Sequence, residues 1–253
     1  MYQSSQPKEP LISHGIPQRP WGKIGCDLFT LGNHDYLCTV DYYSDYFEID
    51  PLPGSKDGTT IIKKLKKHYS NHGIPDTLQS DNGPPFNSRQ FENFATQYGF
   101  DHTTSSPEYP QSNGKVKNTV KIAKLLINKT QHTLGDFYLN LLNWRNTPTE
   151  GLNSSPAQQF LGRRTKTDIS VASKLLQPKI IRDVAFKKTK KQAKQSFYYN
   201  RNAAPLPPLS EGETVQFQQK RNSKVWQKVQ VQKQVGMRSY QIITEDGCEY
   251  RRN

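Results

Sequence analysis

The sequence predicts an α/β fold, in which helices flank a mixed five-stranded sheet and a basic connector and a small β-rich module follow. Three observations favour this fold class. Three strand-like runs come first, and strands then alternate with helical segments, an order typical of a mixed sheet. The positive charge is concentrated in the back half of the chain. Short strand-like runs return after residue 210.

The front of the chain begins with an extended tail, because four prolines fall within residues 1–20. Three strands are predicted next, at 23–30, 36–42 and 46–52, where Tyr, Phe, Val and Ile are enriched. Turn residues separate these three runs by short distances. An antiparallel meander is therefore the expected arrangement of the first three strands.

Helical and strand-like patterns alternate along the next segment. They predict a helix, a strand, a helix and a strand at 59–72, 77–80, 88–98 and 100–104. His68 and His72 lie one turn apart on the first of these helices, a spacing that can hold zinc. No further ligand lies near them in the sequence. We therefore interpret both histidines as exposed helix residues and predict no zinc site.

A long amphipathic helix is predicted from Gly114 to about residue 129. Its buried face is Val116, Val120, Ala123 and Ile127. Lys117, Lys121 and Lys124 form a basic stripe beside this face. Further helices at 134–145 and 155–161 complete a predicted core domain over residues 21–162.

The net charge of +13 is unevenly distributed. Residues 1–162 hold fifteen Lys and Arg against fifteen Asp and Glu, while residues 163–210 hold twelve against two. Residues 211–253 hold eight against five. This asymmetry favours a polyanionic partner contacted mainly by the back half, and a solvated charged face is the alternative.

The predicted connector, residues 163–210, contains a helix at 180–199. Its exposed lysines are predicted to be Lys187, Lys188, Lys190, Lys191 and Lys194. Short strands after residue 210 define the last module, residues 211–253. The pattern stops abruptly, which indicates that this module is cut short.

Cysteine content and hydropathy exclude several classes of protein. Cys26, Cys38 and Cys248 form no CxxC pair, and the first two are interpreted as small core residues, which suits a reducing compartment. No apolar run approaches 18 residues and no apolar leader follows Met1, so no membrane partner is expected. No small-molecule substrate is expected either.

Two aspartates occupy positions suited to metal-dependent phosphoryl chemistry. Asp27 lies in the first predicted strand, and Asp81 closes a short strand beside a tight Asn-Gly-Pro turn. Two carboxylates on neighbouring strands and a third acid on a helix commonly hold two divalent cations. The first two acids are present here, and the third position is not an acid.

Six segments carry a resemblance to a known family. They are 25–27 (Gly-Cys-Asp), 40–44 (Val-Asp-Tyr-Tyr-Ser), 72–75 (His-Gly-Ile-Pro), 80–84 (Ser-Asp-Asn-Gly-Pro), 104–107 (Thr-Ser-Ser-Pro) and 109–114 (Tyr-Pro-Gln-Ser-Asn-Gly). In order and spacing they resemble the integrases of gypsy-type long-terminal-repeat retrotransposons and retroviruses. The resemblance covers roughly residues 10–253.

The resemblance implies a ribonuclease-H-like core with an Asp-Asp-Glu triad, and a small C-terminal β-barrel. Asp27 and Asp81 match the two Asp positions and are the implied ligands of Mg²⁺ or Mn²⁺. The Glu position is Lys117, with 35 residues between it and Asp81. An ammonium group there is expected to weaken metal binding. Glu108 is the nearby acid that could substitute, nine residues early.

The resemblance also implies the partners. DNA is expected to contact the loop and helix residues Gln111, Asn113, Gly114, Lys121 and Lys124, together with the connector lysines. A homo-oligomer and a nuclear location are implied as well.

The favoured hypothesis is a retroelement-derived, integrase-like protein that binds DNA. Its ancestral reaction is metal-dependent end processing and strand transfer, the chemistry of a polynucleotidyl transferase, and Lys117 impairs it. The alternative is a domesticated, non-catalytic DNA-binding or scaffold protein. A polyanion-binding protein with no relation to recombination is a third hypothesis.

Overall fold

The computed structural model describes residues 8–13, 15–105, 114–133, 135–219, 225–236 and 238–252. The predicted site residues Gln111 and Asn113, and Glu108, lie outside the described residues. The strands are β1 (Lys23–Leu31), β2 (His34–Asp41), β3 (Phe47–Pro51), β4 (Thr77–Ser80), β5 (Asp101–Thr104), β6 (Thr214–Phe217), β7 (Gln227–Gly236), β8 (Ser239–Thr244) and β9 (Glu249–Arg252). The helices are α1 (Gly58–His72), α2 (Arg89–Tyr98), α3 (Gly114–Thr133), α4 (Phe137–Asn146), α5 (Pro156–Leu161), α6 (Ser173–Leu176) and α7 (Val184–Tyr199).

The first five strands form one mixed sheet in the order β3-β2-β1-β4-β5. The predicted meander is confirmed, because β2 pairs antiparallel with both β1 and β3. The strands β1, β4 and β5 run parallel to one another. The sheet therefore has β1 at its centre, and the carboxyl ends of β1 and β4 point the same way.

Two hydrophobic clusters cover the two faces of this sheet. One lies under α1 and α2 and includes Ile24, Leu65, Leu78 and Phe91. The other lies under α3 and α4, where the predicted inward residues of α3 are all buried: Val116, Val120, Ala123 and Ile127. This alternation of apolar side chains to opposite faces makes the core a sheet with a helix layer on each side.

Polar side chains define where the first two helices begin. Asp57 accepts a hydrogen bond from Thr60 N at 2.9 Å, and Ser88 accepts one from Phe91 N at 3.2 Å. Each bond satisfies a backbone N–H that has no partner within its own helix. α2 ends at Gly99, whose φ of 69° favours glycine.

The C-terminal strands form a separate antiparallel sheet in the order β6-β7-β8-β9. Its own hydrophobic cluster is built from Phe217, Val229, Val231, Tyr240 and Ile242. The predicted β-rich module is thus present as four strands. Closure of this sheet into a barrel stays a prediction, as do the predicted domain boundaries. No helix in the described ranges has the length and apolar character needed to cross a membrane.

The structure corrects three predictions of exposure. His68 is 3% exposed and its Nε2 lies 2.6 Å from Asp50 Oδ2, while His72 Nε2 lies 3.1 Å from Glu48 Oε1. Both histidines face acids on β3, which sequence periodicity along α1 alone does not reveal. Lys188 is 8% exposed, because its place one turn after the buried Val184 turns it inward.

Candidate active site

Asp27 and Asp81 reach the same edge of the sheet. The last paired residues of β1 and β4 are Gly25 and Gln79, and each aspartate lies two positions further along its chain. Because side chains alternate across a strand, Asp27 shares its face with Gly25. Asp81 is held in the following turn, where its Oδ1 accepts a hydrogen bond from Gly83 N at 3.2 Å. The predicted placement on adjacent strands is what the structure shows.

Helix α3 crosses this same face of the sheet. A Cβ on Gly25 would lie 2.4 Å from Val116 Cγ2, so the helix approaches β1 at a point where only glycine fits. Lys117 follows Val116 directly and is exposed. Lys124, two turns later, has its Nζ 5.6 Å from the centroid of the Phe29 ring, beside Asp27. The first half of α3 therefore brings two lysines to the side of the two aspartates.

The electrostatics of Asp27 reflect these neighbours. Burial and the Asp81 carboxylate raise the pKa of Asp27 to about 6, while the ammonium groups of Lys117 and Lys124 act in the opposite direction. No ion pair between described residues joins Lys117 to either aspartate. The lysine thus lowers the local negative potential without a direct contact.

These residues do not fit a two-ion metal centre. Among the described residues, no three His, Cys, Asp or Glu side chains are grouped so that they could hold a metal ion. The site offers two carboxylates, and Lys117 and Lys124 place positive charge beside Asp27. Hard divalent cations need several oxygen ligands, and an adjacent ammonium repels them. The donor set is therefore short of the third acid that two ions require.

We expect Asp27→Asn to stabilise the protein near neutral pH. The pKa of Asp27 is raised in the folded state, so ionisation disfavours folding: the penalty is absent below about pH 4 and complete above about pH 6. The full shift corresponds to about 3 kcal/mol, and solvent screening reduces the expected gain to about 1–2 kcal/mol at pH 7.5. Thermal unfolding in chelator at pH 7.5 and pH 4 measures this gain.

Asp101→Asn, a change at an exposed residue of β5, is the control for loss of one negative charge. It should leave stability nearly unchanged at both pH values. A variant Asp27→Asn that is no more stable than the parent at pH 7.5 would contradict the interpretation that the Asp27 carboxylate is held in an unfavourable environment.

The connector supplies the second part of the candidate site. Lys190 and Lys194 are exposed on the side of α7 away from its buried residues, together with Phe186 and Phe197, which are 70% and 65% exposed, whereas Lys187, predicted to be exposed, is half-buried. Of the other predicted DNA-binding lysines, Lys191 is exposed but donates to the Glu150 carbonyl oxygen at 3.0 Å, and Lys188 faces inward. On α3, Lys121 is exposed and Gly114 is the exposed first residue.

Three charged residues that the sequence motifs do not single out organise this region: Asp45, Glu48 and Arg145. Asp45 holds both Lys115 and Lys188. Arg145 binds the Phe47 carbonyl oxygen and the Glu48 carboxylate, and His72 and Arg145 draw the pKa of Glu48 down to about 2. The only local feature that sets Asp45 apart from other surface acids is its left-handed backbone, with φ 67°.

The comparisons with known proteins agree with this architecture. Residues 17–110 match the family model described as "Integrase core domain". A Caenorhabditis elegans protein, "Uncharacterized protein K02A2.6", is 35% identical over 171 residues, which is 64% of this chain and 13% of that protein. The Gag-Pro-Pol polyprotein of sheep pulmonary adenomatosis virus is 34% identical over 160 residues, or 59% of this chain and 9% of the polyprotein.

The fold is also similar to that of one chain in the structure of a viral intasome. The chain in a structure titled "CryoEM structure of simian T-cell lymphotropic virus intasome in complex with PP2A regulatory subunit B56 gamma" aligns with a TM-score of 0.63 and 18% identity, covering 99% of this chain and 81% of that one. Residues 17–110 therefore match an integrase core domain, in agreement with the resemblance to retroviral and long-terminal-repeat retrotransposon integrases that the sequence predicted. The chain spans 9–13% of the two curated relatives described above.

Proposed function

We propose that this chain is a retroelement-derived, integrase-like protein that binds DNA, and that Lys117 impairs the end processing and strand transfer of its family. The observation that carries the proposal is the placement of Lys117. Lys117 lies on α3, the helix that crosses the sheet face next to Asp27 and Asp81. The family resemblance implies the third acid at the position of Lys117. Divalent metal is the cofactor of that family, and its binding here is proposed to be weak.

The charge of the connector supports DNA as the partner. Helix α7 contains five lysines and no acid, and two of these lysines, Lys190 and Lys194, lie exposed on its outward side. Duplex DNA carries one negative charge per about 1.7 Å of its axis, so a basic helix displaces counterions from it. The viral chain of similar fold belongs to an intasome. A homo-oligomer and a nuclear location are parts of the same proposal.

A non-catalytic scaffold is the second candidate function. The close contact of Gly25 with Val116 and the buried face of α3 are those of an intact, packed core. A packed core around a site that lacks its third acid is what a domesticated DNA-binding protein would keep. The metal titration described in the Discussion separates impaired chemistry from this alternative.

DNA binding is tested by removing three of the lysine charges of α7, those of the exposed Lys190 and Lys194 and of the half-buried Lys187. We expect the triple variant Lys187→Gln, Lys190→Gln, Lys194→Gln to bind a short duplex about 10- to 30-fold more weakly at 0.1 M salt, with little dependence on DNA sequence. Each lysine lost should also reduce the slope of log affinity against log salt by about 0.9. Fluorescence anisotropy across a salt series measures both quantities.

Three lysines of the core, Lys63, Lys66 and Lys67 on α1, provide the matched control. Their change to Gln removes the same total charge from α1. This helix packs on the face of the sheet opposite to the one that α3 covers. The control should bind DNA nearly as the parent does. An equal loss of DNA affinity in the two triple variants would show that binding follows net charge alone and that α7 is not the DNA-binding surface.

A further inference from the structure

A tight turn between β2 and β3 fixes the position of Asp45. Asp41 lies at the start of this turn, fully buried, and accepts hydrogen bonds from Ser44 N at 2.9 Å and Ser44 Oγ at 2.5 Å. Asp45 itself has a left-handed backbone, and its N–H donates to the Asp41 carbonyl oxygen at 3.1 Å. The turn therefore presents the Asp45 carboxylate from a rigid support.

Two lysines from distant parts of the chain meet at this carboxylate. Lys188 Nζ, on α7, lies 2.7 Å from Asp45 Oδ1 and 3.3 Å from the Tyr42 carbonyl oxygen. Lys115 Nζ, in the first turn of α3, binds the same Oδ1 atom. The Lys188 and Lys115 side chains are 10% and 26% exposed. One oxygen atom thus joins the connector helix to the helix that carries Lys117.

The two ammonium groups are unfavourable without this carboxylate. Burial lowers the pKa of Lys188 to about 8 and that of Lys115 well below its usual value, and the nearby Lys191 lowers both further. The buried Asp41 carboxylate raises both pKa values, but Asp45 is the carboxylate in direct contact with the two ammonium groups. A buried charge that loses its partner is strongly destabilising, whereas a hydrogen-bonded pair is tolerated. The docking of α7 through Lys188 therefore depends on the negative charge of Asp45.

A second set of contacts holds the far end of α7. Leu11 N donates to Asn200 Oδ1 at 2.8 Å, and Ser13 and Ser196 are joined by a hydrogen bond of 3.1 Å. The helix is thus fixed near both ends, at Asp45 and along residues 8–13. Its outward lysines, Lys190 and Lys194, together with the half-buried Lys187 one turn earlier, span about 10 Å of a fixed helix.

We propose that Asp45 is a positioning residue that anchors α7 and the first turn of α3 to one point of the core, so that the outward lysines of α7 meet the DNA backbone as a rigid row. The DNA part rests on the proposed function, whereas the anchoring does not. A helix already docked does not have to be ordered when DNA binds, and this preorganisation strengthens binding without an added contact. Asp45 also links the connector mechanically to the Lys117 helix.

The test compares Asp45→Asn with Asp35→Asn in the full chain. Asp35, the second residue of β2, is an acid that also pairs with a lysine, Lys56, at 3.3 Å, so the two variants lose the same charge. In Asp45→Asn we expect amide protons of α7 and of the first turn of α3 to exchange about tenfold faster, with α1 unchanged. In Asp35→Asn these segments should keep the protection of the parent.

DNA affinity gives the second readout, because the loss of a negative charge alone should raise it, whereas the loss of the anchor should lower it. Loss of a negative charge should tighten DNA binding slightly, as expected for Asp35→Asn. Asp45→Asn should instead weaken it about three- to tenfold, because α7 is no longer held. Tighter binding by Asp45→Asn than by Asp35→Asn would overturn the proposal, since Asp45 would then be a competitor of DNA phosphates for the two lysines.

Lys188→Met keeps the proposal testable if Asp45→Asn fails to fold. Methionine retains the apolar stem, so α7 should lose protection while the Lys115 contact keeps the first turn of α3 protected. Adding Asp45→Asn to Lys188→Met should accelerate exchange in α7 no further, because the two residues form one contact. Additive effects, or unchanged protection of α7 in every variant, would show that Asp45 does not anchor the connector. A parent that binds no DNA would remove the proposed function and leave the exchange result to decide the anchoring.

Discussion

Lys117→Glu should bind divalent metal about a hundredfold more tightly than the parent. The change replaces a positive charge by a negative one beside Asp27 and Asp81, a difference of two charge units at the site. A divalent ion and one unit charge 4 Å apart interact by about 8 kcal/mol at an effective dielectric of 20 and by about 2 kcal/mol in water. Because Lys117 is exposed, the lower figure is the appropriate guide. The lost repulsion of the ammonium and the gained attraction of the carboxylate, both reduced by salt, together favour metal binding by about 3 kcal/mol.

Calorimetric titration with Mg²⁺ or Mn²⁺ measures this affinity, and a rise of the melting temperature with metal gives an independent readout. Lys117→Gln, which removes the ammonium without adding a ligand, should gain about tenfold. Lys129→Glu makes the same charge change about 18 Å further along α3 and should gain little. The gain should also disappear when Asp81→Asn is added to Lys117→Glu.

Two outcomes would contradict this account of Lys117. Equal metal affinity in the parent and in Lys117→Glu would show that the lysine does not disfavour the ion. DNA joining by the unmodified protein in manganese, lost on Asp81→Asn, would show that Lys117 is tolerated by the chemistry. Either result would shift the proposed function towards an active integrase or towards a scaffold without a metal site.

Asp41→Ala should lower the free energy of unfolding by about 3–5 kcal/mol. Besides its two bonds to Ser44, the Asp41 carboxylate accepts hydrogen bonds from Trp21 N at 3.0 Å and Tyr43 N at 3.2 Å. Alanine removes every acceptor and leaves buried donors unpaired, each at a cost of about 1–3 kcal/mol. For a chain of this size the melting temperature should fall by about 10 °C, measured by thermal unfolding.

Asp41→Asn and Asp35→Ala are the matched comparisons. Asparagine keeps the shape and one acceptor oxygen, so it should lose an intermediate amount of stability. Asp35→Ala removes a more exposed acid from the start of β2 and should cost less than about 1 kcal/mol. If Asp41→Ala were no more destabilising than Asp35→Ala, the buried carboxylate would not be the support of the turn that presents Asp45.

Much of the core was predictable because its signals are local. Periodic apolar residues predicted every strand of the five-stranded sheet, and helix α3 with its buried face, to within a few residues. Asp27 and Asp81 were found because each ends or interrupts a strand-like run and the flanking motifs match a family. Lys117 was assigned by its distance from Asp81 along the chain.

The sequence by itself therefore determined the main elements of the core and the proposal that Asp27, Asp81 and Lys117 belong to one site. Only the tertiary structure decided which charged groups meet. Parallel pairing of β1 with β4 set Asp27 level with Asp81, and packing of α7 turned Lys188 onto Asp45, 143 residues away in the chain. Likewise, β3 beneath α1 buried His68 on Asp50. Local periodicity predicts which side of a helix is buried. The residue that pairs with each buried charge is decided by contacts between segments far apart in sequence.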